Sequence, residues 1–261
     1  MKTQKKTPAK KASQKPQKPK QPALSAPVSS FAPAPAPRPT ILPTTEKTLA
    51  ISYMELRTAI GGLAFAIPFA VSLVAWLFFK QGQQSSISAY YYTGAGDILV
   101  GALFATGFFL FSYRYESAKN IAAKLTFVFA LGIALFPTTP PPWTGIPITD
   151  TAKIIGWIHL GFAAAFFLTL SYFCLFLFVK TNATPENPMT QRKIYRNRVY
   201  RVCGVIMVIC IALMALYNLT GGDETNPLAS LSPTYWLETV AILAFGISWL
   251  TKGQAILKDE V

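Results

Sequence analysis

Apolar residues fill six long stretches of the chain, and shorter polar segments separate them. The stretches cover residues 60–79, 98–113, 121–136, 154–179, 203–219 and 234–250. A helix needs about 20 apolar residues to cross a hydrocarbon core about 30 Å thick, and most of the stretches approach that length. The pattern therefore predicts an all-α, polytopic membrane helical bundle with six transmembrane helices.

The second and third stretches are the shortest candidates for a span, and the third covers residues 121–136. Lys124 lies near its start. A lysine at that position can extend its amine to the lipid headgroups while its methylene stem stays in the apolar region, so we interpret the segment as a span. The alternative is a protein of five spans in which this segment is re-entrant.

The composition agrees with a membrane protein. Of the 261 residues, 52% are hydrophobic, 13% are aromatic and only 13% are charged. These proportions leave too little polar surface to cover a soluble globule of that size. A soluble globular protein is therefore excluded.

Most of the net charge of +13 lies in an N-terminal tail. Residues 1–45 contain eight lysines, Arg38 and no acidic residue, whereas the remainder carries 15 basic and 11 acidic residues. The tail is rich in Lys, Pro and Ala and has almost nothing to bury, so it is predicted to be disordered. The expected domains are this basic cytoplasmic tail (1–45), a six-helix transmembrane domain (46–252) and a short cytoplasmic C-terminal tail (253–261). With the charge divided in this way, no nucleic-acid partner is expected.

The charges of the loops predict the orientation. Lys and Arg concentrate in the tail, in residues 114–124, in residues 180–201 and at the C-terminus, whereas the three alternate loops hold only Lys80 and Lys153. Short basic loops stay in the cytoplasm. Both termini are therefore predicted to be cytoplasmic.

Each span that runs from outside to inside begins with an ionisable residue. These residues are Asp97, His159 and Glu238, and His159 is the only histidine in the chain. At about 1.5 Å of rise per residue, all three lie close to the outer boundary. A bundle that brings these spans together would cluster them in an outward-facing polar pocket. The further candidates for this pocket are Ser88, Tyr91 and Asn218.

Small residues predict that Asp97 faces the interior of the bundle. Gly94, Gly101 and Ala105 share its helical face, and small residues mark close contacts between membrane helices. Asp97 is therefore expected to face His159 across the outer half of the bundle and to form the floor of the pocket with it.

Each pocket candidate also has a purely structural interpretation. A carboxylate in the first turn of a helix is favoured by the helix dipole whatever the protein does, and this applies to Asp97 and Glu238. The tyrosines at positions 90–92 are also typical of interfacial anchors. Asn218 lies at the outer end of its span and is placed to cap that helix.

A second charged feature precedes the fifth span. Residues 191–201 read QRKIYRNRVYR, and a helix that extended below the membrane would turn their cations into a collar that attracts anionic headgroups. The candidate headgroup ligands are Arg192, Lys193, Arg196, Arg198 and Arg201. The alternative is that these residues only set the orientation. Membrane lipids, including anionic lipids at the cytoplasmic face, are the expected partners.

Motifs of known chemistry are absent from the sequence. It contains no HExxH, no Walker loop, no GxSxG and no EF-hand loop. One histidine cannot form a three-histidine zinc site, so neither a metal nor a cofactor is predicted. Cys174, Cys203 and Cys210 lie within apolar stretches without CxxC spacing and are interpreted as packing residues.

Three classes of function are compatible with this sequence. The first is a protein that binds or permeates a small polar solute, a proton or a lipid headgroup through the outward-facing pocket. The alternative is a structural or scaffolding membrane protein. The third is an intramembrane lipid hydrolase with His159 as the base, a carboxylate as its orienting group and Ser88 as the nucleophile. The lack of a complete catalytic set ranks the hydrolase last.

Four stretches resemble a family of uncharacterised six-span bacterial membrane proteins, a domain of unknown function. They are SISAYYYTGAGDILVGALFATGFFLFSY, FALGIALFPTTP, IGWIHLGFAAAFFLTLSYFCLFLF and KIYRNRVYRVCGVIM, within residues 86–207. The family shares the residues that stand here as Asp97 and His159, and the resemblance implies a location in the bacterial inner (plasma) membrane. A more distant similarity is to the DRAM/Sfk-like membrane proteins. Seven-span ceramidase-type hydrolases are more distant still, because their pattern requires three histidines.

Overall fold

The computed structural model describes residues 44–112, 117–181, 183–184, 188–222 and 226–258. The predicted disordered tail lies outside these residues, apart from Thr44 and Thr45, which begin the first helix. The last three residues of the predicted C-terminal tail lie outside them as well.

Six α-helices account for most of the described residues. They are α1 (Thr44–Phe79), α2 (Gly96–Ser112), α3 (Ser117–Leu135), α4 (Asp150–Tyr172), α5 (Gln191–Leu219) and α6 (Pro233–Lys252). A π-helical turn, Phe173–Leu177, continues α4, and short 3-10 helices lie at Ser88–Tyr92, Pro142–Thr144 and Ala229–Leu231. No β-strand occurs in this part of the chain, so the prediction of an all-α fold is confirmed.

Three helical segments are long and apolar enough to cross a membrane. They are Tyr53–Phe79, Asp150–Leu177 and Gln191–Leu219, and Gly96–Ser112 and Ile121–Leu135 form shorter apolar helices. Large apolar side chains also cover much of the surface. Leu73, Trp76 and Leu216, for example, are each more than half exposed. An apolar surface of this extent is unfavourable in water and favourable in lipid, which indicates a membrane protein.

Two helices begin earlier than the apolar stretches predict. α5 starts at Gln191 rather than near residue 203, because the hydroxyl of Thr190 caps it by accepting a hydrogen bond from the Lys193 amide at 3.2 Å. α1 starts at Thr44 rather than near residue 60, and the intervening sequence is rich in good helix formers such as Leu, Glu, Met and Arg. Hydropathy therefore marks the apolar part of these helices and not their ends.

The helices pack as a closed ring in sequence order. Each helix contacts the next one along the chain, and α6 packs against both α5 and α1. α2 and α4 are therefore not direct neighbours in this ring, since each packs on α3. Residues of α2, α4 and α6 nevertheless face the same space at the centre of the ring.

Two glycines allow α1 and α6 to close the ring. A Cβ atom on Gly61 would lie 2.6 Å from the Leu250 nitrogen and 2.9 Å from the Gly246 oxygen. A Cβ atom on Gly246 would lie 3.0 Å from the Gly61 oxygen. The distances at Gly61 are shorter than a Cβ atom tolerates, and the one at Gly246 would require a small shift of the neighbouring backbone, so the close approach of the two helices depends on the missing side chains.

Aromatic side chains fill one end of the ring. Trp249 is fully buried, and the rings of Phe178, Phe245 and Phe173 surround it with centroid distances of 5.3, 6.0 and 6.3 Å. Tilted and edge-to-face pairs of this kind contribute packing energy beyond the area they bury. This end of the ring is closed, whereas the other end opens into a large cavity between the connecting segments.

Candidate functional site

The polar stretch before α2 folds into the ring instead of passing over it. Ile87, Ala89 and Tyr90 are each no more than 2% exposed, and Ser88–Tyr92 forms a 3-10 helix. The hydroxyl of Ser86 accepts a hydrogen bond from the Ala89 amide at 2.9 Å, which caps this short helix locally. We call residues 85–92 the inserted segment.

Two residues of α6 hold the inserted segment. Oε2 of Glu238 accepts hydrogen bonds from the amides of Ile87 and Ser88 at 2.6 and 3.2 Å. Oε1 of Glu238 accepts from the Ser88 hydroxyl at 3.1 Å, and the Tyr235 amide donates to the Ser85 oxygen at 2.9 Å. A carboxylate is favoured where the first amides of a helical turn have no partner. Glu238 thus caps the inserted segment and not the helix to which it belongs.

The tyrosines of the inserted segment mostly pack inside the protein. Tyr90 is buried, and the hydroxyl of Tyr92 donates a hydrogen bond to the Thr138 oxygen at 2.6 Å. Burial raises the pKa of both phenols, so they remain protonated near neutral pH. The interpretation of Tyr90 as an interfacial anchor is wrong, because its side chain is buried, whereas that of the half-buried Tyr92 stays a prediction. Tyr91 is 37% exposed.

His159 of α4 is buried against the end of α3. Its ring is 6% exposed, and Nδ1 lies 2.7 Å from the Phe136 oxygen. Because a carbonyl oxygen only accepts hydrogen bonds, Nδ1 carries a proton, and in the neutral ring Nε2 is then an acceptor. Gly156 permits the close approach of α4 to this connection, since a Cβ atom there would lie 3.0 Å from the Thr139 nitrogen.

Two cavities meet beside these residues. The larger one has a volume of about 1220 Å³ and lies at the open end of the ring; we call it the vestibule. The smaller one has a volume of about 70 Å³ and lies inside the ring; we call it the inner cavity. Ser88, His159, Ala163 and Glu238 line both. We call Ser88, His159 and Glu238 the junction residues, since they form the floor of the vestibule and the entrance to the inner cavity.

Uncharged hydrogen-bonding groups dominate the wall of the vestibule. Its ionisable lining residues, within the described part of the chain, are Lys153, His159 and Glu238. Trp143 and Trp157 also line it and are at least half exposed. The amides and hydroxyls of its wall include those of Gln81, Gln83, Ser86, Thr138, Thr139 and Asn218. Amides, hydroxyls and exposed aromatic faces together suit a neutral, hydroxyl-bearing group.

The inner cavity is apolar apart from the junction residues, Tyr91 and Thr106. Leucine, isoleucine, alanine and phenylalanine form most of its wall. Thr106 is 3% exposed, and among the described residues its Oγ1 has no hydrogen-bond partner. Thr106 was not among the residues predicted for the pocket. Its position two helical turns after Leu99 places both residues on the same face of α2, and that face packs inward.

Five of the six predicted pocket residues line one or both cavities. Ser88, His159 and Glu238 lie at the junction, Tyr91 lines the inner cavity and Asn218 lines the vestibule. The structure thus brings together side chains from the inserted segment, α4, α5 and α6.

Asp97 is the exception, because its side chain is exposed and lines neither cavity. The prediction that it faces His159 is wrong. The buried face of α2 is the one that carries Leu99 and Thr106, whereas a Cβ atom on Gly101, which shares the face of Asp97, would meet nothing within 4 Å. Gly101 therefore faces away from the bundle together with Asp97, whereas Gly94, which precedes the helix, packs against Phe79 at the end of α1.

All five predicted headgroup residues lie in the first three turns of α5. Arg198 and Arg201 are exposed. Arg196 is 9% exposed, and the amine of Lys193 donates a hydrogen bond at 3.1 Å to the carbonyl of Phe178, just after the π-helical turn. The basic run therefore presents only part of its charge to the surface, since Arg196 is buried and Lys193 binds the carbonyl of Phe178.

Metal ligands are not grouped in the described residues. No set of three His, Cys, Asp or Glu side chains is placed there to hold a metal ion, and the cysteines at 174, 203 and 210 are free and buried. Comparison with protein-family models, curated proteins and solved structures finds no match to this chain, so its function has to be inferred from the geometry of the two cavities and their junction.

Proposed function

We propose that the chain is a six-span protein of the bacterial inner membrane, with both termini in the cytoplasm. In this proposal it binds a small hydroxyl-bearing solute or headgroup in an outward-facing vestibule. The resemblance to the six-span bacterial family, and the more distant one to DRAM/Sfk-like proteins, belongs to the same proposal.

The distribution of charge supports this orientation. The vestibule end contributes Lys80, just after α1, and Lys153, in the first turn of α4, whereas the other end carries the basic run of α5 and Lys252 at the end of α6. Under the positive-inside rule the end with more Lys and Arg is cytoplasmic. The vestibule then opens to the outside.

A single observation carries the proposed binding site: the junction residues line both cavities. A hydroxyl group on a ligand can donate either to a carboxylate oxygen of Glu238 or to Nε2 of His159, and it can accept from the Ser88 hydroxyl when that group rotates. The remaining wall offers mostly neutral partners. A neutral polyol therefore matches the site better than a strongly charged solute.

Binding fits the geometry better than permeation or hydrolysis. Below the inner cavity, the aromatic cluster around Trp249 fills the ring, so a permeating solute would have no path. For hydrolysis, the Ser88 hydroxyl would need His159 as its base. The Ser88 hydroxyl donates to Oε1 of Glu238 instead, and Nδ1 of His159 donates to the Phe136 oxygen. Ser88 and His159 therefore do not form a nucleophile–base pair.

The proposal is tested by following the single imidazole during a ligand titration. The protein, labelled with ¹⁵N-histidine and reconstituted in nanodiscs, would be titrated with methyl glucoside as a neutral polyol. We expect a saturable shift of the Nε2 resonance with little change at Nδ1. Ser88→Ala should weaken binding about two- to tenfold, the effect of one hydrogen bond, and Ser230→Ala, an exposed residue outside both cavities, should not. An Nε2 signal that stays unchanged would favour a purely structural role for the junction.

A further inference from the structure

The inner cavity is long and narrow. Its lining runs from Leu99 to Thr106 on α2 and from Glu238 to Phe245 on α6, which is about 10 Å of helix in each case. Its volume is about 70 Å³, and one water-sized position needs roughly 10–15 Å³. The cavity therefore holds roughly five such positions over about 10 Å, a volume and length that suit one unbranched chain better than a ring system.

The wall of the inner cavity has the chemistry of a chain-binding site. Leu103, Ile133, Phe166 and Ile242 are among the apolar residues that line it. Water makes hydrogen bonds to two or more polar partners when it is buried, and apart from the junction residues the described wall offers only the hydroxyls of Tyr91 and Thr106 over about 10 Å of helix. An apolar occupant is therefore favoured over a column of water.

The position of the junction connects this apolar space to the vestibule. Ser88, His159 and Glu238 surround the point where the inner cavity opens, so a molecule that fills both spaces has its polar part at the junction and its apolar part beneath it. An extended chain advances roughly 1.2 Å per bond, as three backbone bonds span about 3.5 Å. A cavity about 10 Å deep then accommodates roughly eight carbons.

We propose that the ligand is a linear amphiphile: its neutral, hydroxyl-bearing head lies in the vestibule, and one unbranched alkyl chain of about eight carbons fills the inner cavity. This inference rests on the proposed function, because it assigns a chain to the ligand whose head that function binds. Thr106 lies at the innermost point that α2 contributes to the cavity, and it marks the end of the chain.

The test is a chain-length series of alkyl glucosides, from methyl to decyl, with the protein in nanodiscs. Free aqueous ligand is fixed by dialysis, and affinity is measured from the Nε2 shift of ¹⁵N-labelled His159. We expect affinity to rise about fourfold for each methylene that is buried and to level off near octyl. If affinity is the same at all chain lengths, the ligand has no alkyl chain in the inner cavity, and the proposed function remains intact. Failure of every glucoside to bind would overturn both.

A variant that shortens the cavity locates the chain. Thr106→Leu fills the inner end and removes the unpartnered hydroxyl, so we expect the plateau to move from octyl to about hexyl, with methyl glucoside affinity unchanged. Leu168→Phe, on the exposed face of α4, is the control and should keep the octyl plateau. If Thr106→Leu does not fold, Ile133→Phe narrows the same cavity from α3. A folded cavity variant with an unshifted plateau would place the chain elsewhere.

Discussion

Replacing Glu238 by alanine should release the inserted segment from α6. The carboxylate accepts the amides of Ile87 and Ser88 through Oε2 and the Ser88 hydroxyl through Oε1. A further hydrogen bond between α6 and the backbone of this segment joins the Tyr235 amide to the Ser85 oxygen. Most of the polar attachment of the inserted segment to α6 therefore depends on one side chain.

The size of the effect follows from these three hydrogen bonds. A hydrogen bond to a charged group contributes roughly 1.5–3 kcal/mol. Glu238 is half-buried and borders the vestibule. Water from the vestibule can therefore replace the carboxylate as the hydrogen-bond acceptor of some of the Ile87 and Ser88 donors. We therefore expect the local opening of the segment to become easier by about 2–4 kcal/mol, less than the full sum. With tenfold for each 1.4 kcal/mol, this corresponds to exchange that is roughly 30 to 700 times faster.

Amide hydrogen exchange measures this opening directly. The peptide that contains Ile87 and Ser88 should exchange faster in Glu238→Ala than in the wild type, while peptides around Trp249 keep their rates. Glu55→Ala, the same substitution at an exposed position of α1, is the matched control and should change nothing in the inserted segment. If exchange of this peptide rises less than about threefold in Glu238→Ala, packing of Ile87 and Tyr90 holds the segment and the Glu238 carboxylate does not.

Three further predictions concern packing, Asp97 and topology. Gly61→Ala should lower the free energy of unfolding by about 1–3 kcal/mol because its Cβ meets the backbone of α6, whereas Gly62→Ala, with open space around it, should raise it by up to about 1 kcal/mol; a denaturant titration that gives both the same sign contradicts the packing of α1 on α6. Asp97→Asn should change stability by less than about 0.5 kcal/mol and leave both nitrogen resonances of the imidazole in place, and a shift of either would return Asp97 to the site. In intact cells, Gln83→Cys should react with a membrane-impermeant thiol reagent from outside and Thr181→Cys only from inside; the reverse pattern would invert the proposed orientation.

The sequence predicted the helical class and most of the site because both depend on local signals. Long apolar stretches predict helices through their hydropathy, and His159 and Glu238 were detectable as ionisable residues at the edges of such stretches. The ends of α1 and α5 were not predictable in this way. They depend on helix-forming residues and on the cap at Thr190, which hydropathy does not register.

The error at Asp97 has a physical cause. Small residues mark a face that permits close approach, but they do not specify whether a neighbour is present on that face. In this structure the inward face of α2 carries Leu99 and Thr106 instead. The partner of Glu238 was equally inaccessible to sequence reasoning, because Ile87 and Ser88 lie 151 and 150 residues away from it along the chain.

The central claim is that the junction residues form the floor of a vestibule that is open to the outside. Ser88→Cys tests it, since Ser88 lines both cavities and the native cysteines at 174, 203 and 210 are buried. In intact cells a small, charged, membrane-impermeant thiol reagent should modify Ser88→Cys from the external side, should be slowed by octyl glucoside, and should not modify Leu168→Cys on the outer surface of α4. Modification of Ser88→Cys only after the cytoplasmic face is exposed, or none at all, would contradict the claim.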